Sequence, residues 1–202
     1  MTIGSIILII LGVFALIGIG TKAIQDFNVP VLGLVLALAT IVGLNFVTPF
    51  VFNNFVFSIG TGILFFATFA LWLFRGNFNN KILCLVTILI LSALTFGATR
   101  LAYVFGNKTW SSVNFYYALM IGFLSFISTR NAKYGFIASV LTIMIATLLT
   151  QINRVIDLNE AYSTAIVSGA FSIVMYSTVS ALMPKKPSRM AYYYEMGRMK
   201  DR

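Results

Sequence analysis

Four charged residues stand where their types and spacing could do chemistry together: Arg100, Arg154, Asp157 and Glu160. Arg100 is the sole charge in the apolar run Ile82–Phe105. Arg154, Asp157 and Glu160 recur three residues apart in "QINRVIDLNEAY", so on a helical turn successive members would touch. The chain holds only five acids: Asp26, Asp157, Glu160, Glu195 and Asp201. An arginine meeting Asp157 or Glu160 at the mouth of a helical bundle would make an ion pair or a substrate contact. A second reading of Arg100 needs no partner. It is the nineteenth residue of a 24-residue run, so about 7 Å of helix separates it from the nearer end. A long side chain can snorkel that far to the headgroups.

Other chemistry lacks its groups. There is no histidine, so the commonest general base and metal ligand are missing. One cysteine, Cys84, excludes an intrachain disulfide and reads as a small core residue. Rhomboid-type proteolysis needs a Ser and a His. Intramembrane aspartyl proteolysis needs two aspartates within spans. A rhodopsin-type pump needs a lysine in its last span, and Ala161–Met183 has none. No P-loop or GxGxxG cradles a nucleotide. The "NKT" at Asn107 fits a glycosylation acceptor, a three-residue pattern of low specificity. The expectation is a protein that is not an enzyme and takes no cofactor and no metal.

The elements that would position these charges follow from composition. The chain has 202 residues, 59% hydrophobic and 9% charged, with mean hydropathy +0.95. Soluble domains are roughly a quarter charged, so so few charges cannot cover a water-facing surface. Seven apolar segments are drawn: Ile3–Ile19, Val29–Leu44, Phe55–Phe74, Ile82–Phe105, Trp110–Ser128, Tyr134–Ile152 and Ala161–Met183. Crossing hydrocarbon takes about 20 residues. The uncharged stretch Val29–Phe74 is too long for one helix, and "NFVTPFVFNN" with Pro49 divides it into a hairpin of two spans. Ile3–Ile19 lacks the basic flank of a signal peptide, and its "GIG" ending is a poor cleavage site, so it reads as a retained span. The expected fold is all-α, a polytopic transmembrane bundle of about seven spans over residues 1–183, with a basic cytoplasmic tail, 184–202.

The net charge of +9 fits orientation better than nucleic-acid binding. With seven spans, one side takes Lys22, Arg75, Lys81, Arg130, Lys133 and the tail's Lys185, Lys186, Arg189, Arg198, Lys200 and Arg202. The other takes only Arg100, Lys108 and Arg154. The positive-inside rule then puts the N-terminus outside and the C-terminus in the cytoplasm. Trp72 on the inner side, and Trp110 with Tyr116 and Tyr117 on the outer, suit headgroup anchors or packing between helices.

The last segment carries Ala161, Ala165 and Gly169 at four-residue spacing, a face on which another helix can pack closely. In the tail, Lys185, Lys186 and Arg189 could contact lipid phosphates, from an interfacial helix or a disordered basic tail. The apolar stripes after Met190 are split and end at Gly197, which favours the disordered form.

The stretch "LSALTFGATRLAYVFGNKTWSSVNFYY" resembles the uncharacterised YphA-like small membrane proteins of spore-forming bacteria: an apolar helix, a polar residue and Leu near its end, a short loop and a Trp. The resemblance implies a bacterial cytoplasmic-membrane protein of about this size, and no activity. The function expected is non-catalytic, exerted through lipid, a membrane-protein partner or a homodimer in the envelope. The alternative is a small-molecule transporter or its membrane-embedded substrate-binding subunit. A polar-lined cavity opening on the Arg100 side would favour that alternative.

Overall fold

The computed structural model describes residues 2–27, 29–47, 49–52, 55–74, 77–107, 109–151 and 156–182. They form eight helices and three short strands: α1 (Ile3–Ile17), α2 (Thr21–Asp26), α3 (Val31–Leu44), β1 (Phe50–Phe52), β2 (Phe55–Phe57), α4 (Ile59–Phe74), α5 (Phe78–Val104), α6 (Phe115–Thr129), α7 (Ala132–Gln151), β3 (Ile156–Asp157) and α8 (Leu158–Leu182). Three helices, α5, α7 and α8, are long and apolar enough to cross a membrane. The other four apolar helices, α1, α3, α4 and α6, have 14 to 16 residues and rise only about 21–24 Å.

Local chemistry sets these shorter lengths. α1 opens on Thr2, whose hydroxyl accepts the Ser5 N–H, and stops at Gly18 in the left-handed region, φ 85°. The Ile19 N–H then reaches back to the Phe14 carbonyl, which closes the helix as glycine does at such ends. α3 begins directly after Pro30. Phe55–Phe57, expected to open a span, is instead a strand; helix resumes only after Ser58, whose hydroxyl accepts the Thr61 N–H. α6 starts at Asn114, which accepts from Tyr116 and Tyr117.

α7 is the central element. Nearly every residue from Ala132 to Thr147 is buried, and it packs against α4, α5, α6 and α8. One core cluster joins Leu8, Phe27, Leu64, Phe136, Tyr162 and Ile166; a second, between α5 and α7, holds Cys84, Ile88, Tyr134, Ile137 and Leu141. A three-stranded sheet covers the Arg100 end of the bundle. β1 and β2 form an antiparallel hairpin, and β3 adds to β2 in parallel, with Phe55 opposite Ile156. α2 crosses the opposite end and packs on α7 and α8. Its Asp26 carboxylate accepts the Ala132 N–H at 3.2 Å, an acid placed at a helix N-terminus.

Candidate functional site

Arg100 lies exposed on α5, its guanidinium 5.2 Å from the centroid of the Phe96 ring one turn earlier. Asp157 sits in β3, where its carboxylate accepts the Asn159 N–H at 2.9 Å and its own N–H donates to the Gln151 side chain at 2.8 Å. Among the described residues no ion pair joins Arg100 to Asp157. The physical reason is placement: α5 packs on α6 and α7 and leaves Arg100 exposed, while Asp157 is held in the sheet, paired with Val56. Arg154 and the Glu160 side chain lie outside the described residues, as do Lys185, Lys186 and Arg189.

What the Arg100 end does assemble is an uncharged network. The Asn159 side-chain oxygen accepts the Ser58 N–H at 2.7 Å and the Thr61 hydroxyl at 3.3 Å. The Ser58 hydroxyl donates to the Asn45 side-chain oxygen and lies 2.8 Å from the Thr61 hydroxyl. Four segments meet there: the ends of α3 and β2 and the starts of α4 and α8. Asn45 opens the break "NFVTPFVFNN" that divides the long apolar stretch, and nothing in the sequence singles out Thr61 or Asn159. The available signal was Ser58 directly before an apolar run, an N-cap position. Close by, the Trp110 ring packs on Tyr116 and Tyr117, and the Tyr117 hydroxyl donates to the Trp110 carbonyl at 3.0 Å.

On α8, Ala161, Ala165 and Gly169 are all buried. A Cβ on Gly169 would stand 2.6 Å from the Phe136 ring of α7; one on Gly122 of α6 would stand 2.5 Å from the Ser168 carbonyl of α8. Small residues thus bring α6 against the backbone of α8 and seat the Phe136 ring of α7 on Gly169. Within this tight seam the hydroxyls of Ser125, Thr142, Ser168 and Ser172 are buried and find no hydrogen-bond partner among the described residues.

A cavity of about 320 Å³ lies toward the α2 end. α1, α3, α4, α7 and α8 ring it and α2 closes it, with Leu8, Leu38, Leu64, Ala23, Phe27 and Phe136 among its walls. The Thr68 hydroxyl faces this region but already donates to the Leu64 and Phe65 carbonyls at 2.9 Å. The cavity is therefore apolar, and it sits at the end away from Arg100.

Among the described residues no three His, Cys, Asp or Glu side chains come together. Comparison with family models, curated proteins and solved structures finds no match for this chain.

Proposed function

We propose that this chain is a seven-span integral protein of a bacterial cytoplasmic membrane, with its N-terminus outside, that acts without catalysis through lipid or protein partners. One observation carries the reading. The outward faces of the apolar helices expose Phe66, Leu89, Leu94, Val104 and Leu182, each more than half accessible. Soluble monomers rarely leave apolar patches of such extent, whereas hydrocarbon solvates them at no cost. The basic residues that the order of the segments assigns to one side fit the positive-inside rule. Helices of 14 to 16 residues fall short of a roughly 30 Å core; on this reading the bilayer thins locally or flanking residues fill the gap. The YphA-like resemblance agrees with a small multi-pass protein.

A transporter or substrate-binding subunit is the second reading. The unpartnered hydroxyls of Ser125, Thr142, Ser168 and Ser172 favour it, since each buried orphan costs about 1–3 kcal/mol unless something polar visits it. The apolar lining of the cavity, and its distance from Arg100, favour the first.

Single-cysteine labelling tests the topology. In a Cys84→Ala background, Asn107→Cys should react with an impermeant maleimide from outside the cell, and Lys81→Cys only after permeabilisation. Labelling of both from one side would reject the seven-span arrangement.

A further inference from the structure

The bundle is tied at its Arg100 end and splayed at the other. Gly4 of α1 lies against α8 so closely that a Cβ there would stand 3.0 Å from the Ser163 Cα. Gly60 of α4 lies against α3 so closely that a Cβ would stand 2.5 Å from the Ile41 carbonyl. Further along the same helices the facing residues are Leu11, Leu38, Leu64 and Leu71, and the helices part around the cavity.

We propose that this cavity holds one acyl chain of an anionic phospholipid, with the phosphate beside Lys22. The proposal rests on the membrane reading above. Three observations select this occupant. First, the void offers a polar solute little: of its three hydroxyls, that of Thr68 is committed to backbone carbonyls, that of Thr178 donates to the Val174 carbonyl at 2.9 Å, and that of Ser177 lies near Gly20 at the α2 end. Second, its about 320 Å³ is roughly twice the 150 Å³ apolar cavity that admits a benzene molecule, room for part of a hydrocarbon chain. Third, a cation stands beside the rim, while the acid of the same helix, Asp26, is engaged with the Ala132 N–H. Lys22 is exposed on α2, beside the lining residues Ala23 and Ile24, and its ammonium reaches α8 at the Ser180 carbonyl, 2.9 Å away. An ammonium held there and still open to solvent can take a phosphate oxygen, with three donors to share. Lys22 belongs to the end where the sequence concentrates its basic residues, the side facing anionic lipid headgroups.

The full-length protein, extracted in mild detergent and exposed to equal amounts of phosphatidylglycerol and phosphatidylcholine, is assayed by native mass spectrometry. The expected result is one retained lipid per chain, predominantly phosphatidylglycerol. Ala67→Phe and Ala37→Phe place a ring in the cavity from two different helices. Each ring takes space that the chain would fill and should lower retention well below that of the wild type, while Ala98→Phe, on the exposed face of α5, leaves it unchanged. Lys22→Gln should erase the preference for phosphatidylglycerol and keep the chain bound. A second measurement needs no variant: phosphatidylglycerol carrying a diazirine in its acyl chain should label the buried Leu64 and Thr68. Labelling confined to outward residues such as Phe66, equal retention by the filled variants, or a folded wild type that keeps no lipid would each overturn the proposal. Failure of the membrane reading is separate: the chain would then leave membranes in an alkaline wash without detergent.

Discussion

The ring of Phe136 occupies the space that any side chain on Gly169 would need: a Cβ there would stand 2.6 Å from two of its ring carbons. The two residues press α7 and α8 together, so Gly169→Ala forces ring or backbone to move. We expect a loss of about 1–3 kcal/mol, read as a lower thermal transition in detergent. Gly97 of α5 meets nothing within 4 Å. There Gly97→Ala should act in the opposite sense and stabilise by about 0.5–1 kcal/mol. Equal effects at the two sites would mean that α7 and α8 are not packed as described.

Asn159 ties α8 to the start of α4 through one oxygen that accepts from Ser58 and Thr61. Asn159→Leu leaves the N–H of the buried Ser58 and the hydroxyl of the buried Thr61 without that acceptor and should cost about 1–3 kcal/mol. Asn159→Asp keeps an acceptor in place and should be the milder change. The check is the difference between the two unfolding midpoints, and a Leu variant as stable as the Asp variant refutes the role.

Arg100 stands over Phe96 and Asp157 binds the Asn159 N–H, so the two charges should behave independently. In a double-mutant cycle with Arg100→Gln and Asp157→Asn, the coupling should stay below about 0.5 kcal/mol. Exchanging the two charges should rescue nothing that either single change loses. A coupling well above that value would establish the ion pair.

Cys84 has no exposed surface and sits between α5 and α7, its sulfur 3.7 Å from the Tyr134 carbonyl. A thiol so enclosed should resist maleimide in the folded protein and react when denaturant opens the α5–α7 contact. Rapid labelling under native conditions would show that this part of the core opens locally.

The seven apolar helices are legible in the chain because each holds a long run with few or no charges, but Gly18 and Ser58, which end α1 and open α4, fall inside the segments Ile3–Ile19 and Phe55–Phe74 and shorten them. The burial of Ala161, Ala165 and Gly169 is legible in their spacing. The strands of "FVFNNFVF" carry a hairpin signal, two apolar triplets separated by two asparagines, but inside a long uncharged stretch that signal is masked by the apparent helical run. α2 is only six residues, "TKAIQD", too short for a periodic face. The network at Asn159, the pairing of β2 with β3 and the cavity are not legible at all. Each depends on which distant segments the fold brings together and how far apart their axes lie, and no local pattern encodes that.

The link from Ser58 to Asn159 spans 101 residues. A ribosome adding about 5–20 residues per second delivers Asn159 roughly 5–20 s after Ser58. During that interval β2 has one open edge and the first turn of α4 lacks its acceptor, while α7, made just before α8, has yet to meet the helix that covers much of it. The early helices of this chain can meet one another, α1 with α3 and α3 with α4, but the contacts that α1, α6 and α7 make with α8, and the Asn159 link, close only when α8 emerges from the translation machinery.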